Sequence, residues 1–367
     1  MNAPSQQTVA EALTQRIHSD GPIGLDDYMA ACLGAAGSGY YQSGDPFGSA
    51  GDFITAPEIS GLFGEMCGLY LAHMFELSAM PSDAAVIELG PGRGTLMRDM
   101  RHVWDRLMPP LATAPVRMLE TSPALRKTQS DLLADTAEIT WHDDMPALLD
   151  ATSGPVFGVA NEFFDALPVA QLVRQQGRWR HRLVGIEDGR FGFTTGDPHD
   201  TADPALPPDP HDGMVAELCP QADMVMHDLA GVVARRGGAV LIIDYGRNGN
   251  PGDSLQAVAA HQAVDIFTEP GTADLSHWVD FAALSRAASQ AGARLVGPVP
   301  QGRFLMRIGL AARAEQAAAH AEAQERRALL AAIDRLTSPA QMGEVFKVAL
   351  LVPDGAGLPP GFEAVAA

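Results

Sequence analysis

The sequence predicts an α/β protein built on a doubly wound, mostly parallel sheet, and three observations carry that reading. The runs Val86 to Leu89, Pro115 to Leu119, Pro155 to Ala160 and Gly238 to Ile243 are continuously apolar or nearly so, as expected of strands buried on both faces. Each ends on polar residues, and helical stretches separate them, which is the alternation of βα units. Near the end of the chain, Arg294 to Val299 and Arg303 to Leu310 flank Pro300-Gln301-Gly302, a turn signal that predicts an antiparallel edge hairpin.

Residues 1–80 read as a helical cap with a lid loop. Gly44, Gly48 and Gly51 punctuate a loop that passes through Asp52 and Phe53 to Thr55-x-x-Glu58. That last motif predicts a capping box, with Pro57 in the first turn. The helix it opens would bury Ile59, Leu62, Phe63, Met66, Leu69, Tyr70, Met74 and Leu77. The loop reads either as a lid over a bound ligand or as plain surface loop.

The first sheet strand runs into Gly90-Pro91-Gly92-Arg93-Gly94-Thr95. Glycines there let the backbone turn sharply and approach a ligand, while the helix behind them offers free N–H groups. Glu88 narrows the ligand: its charge would repel a pyrophosphate and attract an ammonium and a sulfonium. Thr95 stands where the dinucleotide fingerprint needs Gly or Ala. Both observations favour S-adenosylmethionine over NAD. Helical spacing places Leu96, Met100, Val103, Trp104 and Leu107 on the buried face of the next helix, with Arg98, Asp99, Arg101 and Asp105 off it.

The second strand ends at Glu120, where open α/β sheets place an acid for ribose hydroxyls; a helix-start carboxylate is the other reading. After the third strand, Glu138 to Trp141, either Asp143 or Asp144 could accept from an adenine amino group, or both could sit in a solvated turn. The fourth strand delivers Asn161-Glu162-Phe163-Phe164-Asp165-Ala166-Leu167-Pro168. Packing explains the phenylalanines but not Asn161 and Glu162. These two and Asp165 are the expected catalytic group, orienting a substrate nitrogen toward the methyl-bearing sulfur, with Asn161 also touching the cofactor. Phe163 and Phe164 would stack on a guanidinium or fill the core. The fifth strand ends in Asp244-Tyr245-Gly246, further substrate-side candidates. Residues 169–232 read as an inserted meander with turns at Gln175-Gln176-Gly177 and Glu187-Asp188-Gly189, residues 81–312 as the main domain that contains it, and 313–367 as a helical tail whose Ala314 to Leu336 is one helix.

These segments together resemble the MidA-like family. The blocks that carry the resemblance are Gly51-Asp52-Phe53-Ile54-Thr55-Ala56-Pro57-Glu58-Ile59-Ser60, Glu88 through Leu96, Glu120-Thr121-Ser122-Pro123, Ala160 through Pro168, Pro270 through Leu275, Val279-Asp280-Phe281 and Asp244-Tyr245-Gly246. The family includes a mitochondrial complex I assembly factor that methylates an arginine. The resemblance implies a class I methyltransferase fold with a Rossmann-like sheet, S-adenosyl-L-methionine as cofactor, and arginine methylation on a respiratory complex I subunit. Where relatives often carry basic residues, this chain has Ala257-Val258-Ala259-Ala260. Methylation of a small molecule or another residue, and a noncatalytic assembly role, are the other functions weighed.

Composition bounds the remaining choices. With 45 acidic and 25 basic residues the formal charge is −20, which disfavours nucleic acid and suits a basic protein partner. The basic cluster Arg174, Arg178, Arg180 and Arg182, interleaved with Trp179 and His181, reads as a solvated hairpin. No apolar run approaches the roughly 18 residues of a membrane span. Cys32, Cys67 and Cys219 are widely spaced, so neither metal binding nor a disulfide is expected. A cytoplasmic location is expected from these cysteines and from an N-terminus without an apolar or Arg-rich leader. The expected partner is a protein with an exposed arginine; a homodimer is compatible with the chain.

Overall fold

The computed structural model describes residues 7–42, 55–136, 138–199, 202–319 and 321–363. The chain divides into two units, one from residues 54–164, 223–247 and 284–367, the other from 1–53, 165–222 and 248–283.

The first unit holds the predicted sheet. Its strands, numbered in chain order, are β1 (Ala85–Leu89), β2 (Val116–Leu119), β3 (Ile139–His142), β4 (Val156–Asn161), β5 (Gly238–Arg247), β6 (Ala293–Pro300) and β7 (Phe346–Pro353). They lie in the order β6-β7-β5-β4-β1-β2-β3. The pairs from β3 to β5 are parallel, and β7 runs antiparallel to both β5 and β6. The central strands β1, β4 and β5 are buried along nearly their whole length, which is why they read as continuous apolar runs.

Two helices on this sheet, Gly61–Leu77 and Thr95–Leu107, pack through small residues. A Cβ at Gly64 would lie 2.6 Å from the Asp99 Cβ, and one at Gly68 would lie 2.8 Å from the Met100 Cα. The close approach lets the Trp104 indole N–H donate to the Gly68 carbonyl at 2.8 Å. We expect Gly68→Ala to overpack this seam and cost about 1–3 kcal/mol, read as a lower chemical-denaturation midpoint. Asp99, expected off the stripe, is buried against these glycines and holds Arg98, whereas Leu107 is exposed.

Further expectations for this unit are corrected. Thr55 makes no side-chain cap; Ala56–Ile59 is a single turn, and Ser60 in extended conformation starts the long helix separately. Leu77, expected on the buried face, is exposed. Pro300-Gln301-Gly302 is not a hairpin turn: Gln301–Arg307 is a helix that buries Phe304 and Leu305 and exposes Met306, so helical spacing wins. The antiparallel partner of β6 is instead β7, inside the stretch read as a helical tail. The expected Ala314 to Leu336 helix is two, Leu310–Ala319 and Ala323–Thr337, the second opened by a Glu322/Glu325 capping box.

The second unit contains the meander. Strands Ile23–Gly24, Arg178–Glu187, Ala170–Gln175 and Val215–Leu218 lie in that order, with Arg190–Pro198 pairing Arg178–Glu187. Both expected turns have φ positive at two successive residues, Gln176/Gly177 and Asp188/Gly189, the mirror-image geometry that matches strand twist. Helices Val9–Asp20 and Leu25–Gly34 share a core with this sheet through Leu13, Tyr28, Met29 and Val184. Arg182 stacks 3.6 Å over the Phe193 ring and pairs with Asp253, and Arg180 donates to the Gly196 carbonyl, so these arginines serve their own sheet. No helix among the described residues is long and apolar enough to cross a membrane, and none of their His, Cys, Asp or Glu groups has metal-binding geometry.

Candidate active site

Parallel pairing brings the strand ends of the first unit into one row. Leu89 lies beside Leu119, Leu119 beside His142, Leu89 beside Ala160, and Ile243 beside Asn161. Gly90, Glu120, Asp143 and Asn161 therefore line a single edge, where open α/β sheets bind ligands, whereas Asp244, expected just after the fifth strand, lies within β5, which continues to Arg247 because β7 pairs it there.

Gly90, Gly92 and Gly94 all have φ between 53° and 85°, a left-handed run that other residues would adopt only under strain. A Cβ at Gly90 would also meet the Phe163 ring at 3.0 Å. Phe163 thus covers the glycine turn. Phe164 stands edge-on to it, 5.2 Å away, and is fully buried.

Glu88 is buried at the end of β1, and its Oε2 has no hydrogen-bond partner. Burial without a compensating cation pushes its carboxyl up to about 8. Asn161 is also buried, and its Oδ1 likewise has no partner. Two orphan acceptors at the ends of neighbouring strands fit a ligand that brings a cation and N–H donors. That is what S-adenosylmethionine offers.

Glu120 is buried, with Oε1 held by the Ser122 N–H at 2.7 Å and Oε2 by the Gln129 amide at 3.1 Å, and the Thr121 backbone also bonds the carboxylate. Desolvation raises its pKa, and these hydrogen bonds oppose the rise. Arg126 donates to the Glu120 carbonyl and pairs with Asp143 at 2.6 Å, leaving Asp143 largely exposed. Asp144 caps the helix Met145–Asp150 through the Ala147 N–H.

Glu162 has φ +52°, uncommon for a residue with a side chain. Its Oε1 accepts from the Asn161 amide at 3.0 Å and from the Ala56 N–H at 3.1 Å. The Thr55–Ile59 turn thus abuts the strand end, although Glu58 serves there by accepting from the Thr95 hydroxyl at 2.6 Å. Asp244 is fully buried and acts on backbone: Oδ2 takes the Phe164 N–H and Oδ1 the Tyr245 N–H, both at 3.0 Å. Tyr245 packs edge-on against Phe346 of β7.

Asp165 belongs to the second unit, where its carbonyl accepts from the His277 N–H and its charge, with that of Asp274, adds to the burial that raises the Tyr41 phenol. Gly51, Asp52 and Phe53, with Gly44 and Gly48, lie outside the described residues. Sequence reading missed Ala56, Arg126, Gln129 and Trp141. A signal existed for Gln129: it interrupts the Leu125–Leu133 spacing on the helix's buried stripe, where a polar side chain must find partners.

A parallel sheet with one reversed strand near its edge, a left-handed glycine turn, an acid near the end of β1 and another just after β2 are what an enzyme that binds a nucleoside-bearing cation requires. A family model of S-adenosyl-L-methionine-dependent methyltransferases matches residues 66–299. The chain is 34% identical to the Drosophila melanogaster protein arginine methyltransferase NDUFAF7 homolog, mitochondrial, over 94% of this chain and 85% of that one. It is 32% identical to the human protein arginine methyltransferase NDUFAF7, mitochondrial, over 96% and 86%. A Burkholderia thailandensis crystal structure bound to S-adenosyl-homocysteine superposes with a TM-score of 0.83 at 30% identity, covering 96% of this chain and 94% of that one. The chain belongs to this S-adenosyl-L-methionine-dependent methyltransferase family.

The relatives correct one expectation. They are named as mitochondrial proteins, which overturns the reading of a cytoplasmic location. Three cysteines outside disulfides do not say which compartment holds the protein.

Proposed function

We propose that the protein transfers a methyl group from S-adenosyl-L-methionine to an arginine side chain of a protein, a subunit of respiratory complex I, and so supports assembly of that complex. The observation that carries this reading is the Asn161–Glu162 pair: a carboxylate in a strained backbone position, its Oε1 held by two N–H donors, at the ligand-binding edge of the sheet. The relatives' names support the substrate class, and the family resemblance supports complex I.

Glu88 and Asn161 would hold the amino-acid end of the donor and Glu120 its ribose, with the glycine turn and Phe163 enclosing it. The bound donor supplies a methyl group on a positively charged sulfur. A guanidinium stays protonated in water, with a pKa above about 12, so the protein must localise its charge and free a lone pair on one nitrogen. Glu162 does this by accepting from the other guanidinium nitrogens, and Asn161 fixes the direction in which the carboxylate points. The methylated nitrogen gives its proton to water, so the product remains a cation and keeps the same carboxylate partner.

Two measurements test the proposal. Mass spectrometry of complex I subunits from cells with and without the protein should show methylarginine lost from one of them; unchanged methylation, or methyl transfer from radiolabelled donor to lysine or small molecules only, overturns it. For the cofactor site, Glu120→Ala should weaken donor binding by about tenfold to a hundredfold, the worth of one charge-assisted hydrogen bond. Unchanged affinity by calorimetry would remove Glu120 from the site.

A further inference from the structure

Gln129 is a fully buried amide whose hydrogen-bonding capacity is met by three different elements. Its Nε2 donates to the Gly92 carbonyl at 2.6 Å and to Glu120 Oε2 at 3.1 Å. Its Oε1 accepts from the Trp141 indole N–H at 2.7 Å. The residue itself lies on the helix Pro123–Leu132, Gly92 is in the turn after β1, and Trp141 is in β3.

The chemistry of these partners leaves one orientation. An indole N–H can only donate, and a carbonyl and a carboxylate only accept. Turned the other way, the amide would set NH2 against N–H and oxygen against two acceptors, each a buried mismatch. All three partners therefore agree on which way the amide faces, and the tryptophan holds its oxygen end. We propose that Gln129, oriented by Trp141, is a positioning residue that presents the Glu120 carboxylate to the donor's ribose and ties that carboxylate to the glycine turn. The inference rests on the reading of Glu120 as the ribose acceptor.

The geometry gives the arrangement its function. Ser122 holds one carboxylate oxygen and Gln129 the other, and the Thr121 backbone adds a third hydrogen bond, which together fix the carboxylate plane while a carboxylate's roughly four acceptor sites still leave one for a hydroxyl. Because the same amide grips the Gly92 carbonyl, the turn and the acid move together. Ribose selectivity is the property this sets: a held carboxylate rewards a ligand hydroxyl strongly, and a loose one much less.

The test compares binding of S-adenosyl-homocysteine and its 2′-deoxyribose analogue by calorimetry, in the wild type and in Trp141→Phe, Gln129→Leu and Glu120→Gln. The wild type should prefer the parent compound by about tenfold or more, the worth of one charge-assisted hydrogen bond. Gln129→Leu should reduce that preference to about twofold, and Trp141→Phe, which keeps the ring and removes the N–H that holds the amide oxygen, should reduce it part of the way. A purely structural role for these residues would weaken both ligands equally and leave the ratio unchanged, and that outcome overturns the inference. If Gln129→Leu does not fold, the indole variant alone decides. A wild type without preference, or a Glu120→Gln variant that keeps it, would instead refute the ribose reading of Glu120, so the two failures are distinct.

Discussion

Glu162→Gln is expected to retain S-adenosylmethionine binding and lose about a hundredfold or more of methyl transfer, the usual share of a positioned carboxylate in a proton-dependent step. The substitution keeps size and one carbonyl oxygen, so the Ala56 and Asn161 hydrogen bonds can persist. What disappears is the negative charge that would localise the guanidinium. Because the loss arises after binding, kcat should fall while the dissociation constant for the donor stays within about twofold. Calorimetry for binding and radiolabelled transfer for turnover separate the two. Full activity in the variant would move the role to another acid near the site, such as Glu58.

The second large effect concerns pH and Glu88. Burial places its carboxyl at about 8, far above the ordinary 4.5, so the free protein holds it protonated at neutral pH. Folding therefore favours the protonated form. The stabilisation from this group is complete below about 4.5, is lost as pH rises, and is gone above about 8. A bound ammonium reverses the preference and draws the proton out. Between these limits donor affinity should rise with pH by up to about tenfold per unit, with one proton released per ligand bound. Near pH 8 the affinity should pass through a maximum, because the ligand's own α-amino group, with a pKa of about 7.7–8.0, then loses its charge. Glu88→Gln should abolish the rising limb and the proton release. Calorimetry in two buffers of different ionisation enthalpy reads both, and a wild-type profile flat from about pH 6 to 8 would remove Glu88 from contact with the ligand's cation.

Much of the candidate site was legible because its residues conflict with ordinary packing. Glu88 in an apolar strand, three glycines in five residues and Asn161-Glu162 at a strand end each violate what a core or a plain turn would select. The roles of Asp144 and Asp244 were not legible. Both follow apolar runs in the sequence, and only the hydrogen-bond partners reveal that one caps a helix and the other, inside β5, ties the loop after β4. Thr55-x-x-Glu58 has the spacing of a capping box, yet Glu58 turns to Thr95 and the Ala56 N–H goes to Glu162. Local spacing says which groups can bond, and long-range neighbours compete for them.

By itself the sequence determined the parallel core, the glycine turn, the places of the two turns of the inserted meander and the acids near the strand ends, because each follows from period, backbone freedom or charge within a few residues. Tertiary structure decided the rest. The strand Phe346–Pro353 reads as easily as a buried helix segment until β5 and β6 supply its hydrogen bonds on both sides. Gln129 becomes meaningful only when β1, its own helix and β3 bring Gly92, Glu120 and Trp141 to one amide. A strand and a buried polar group are both completed by partners distant in the chain, and a linear pattern does not contain those partners.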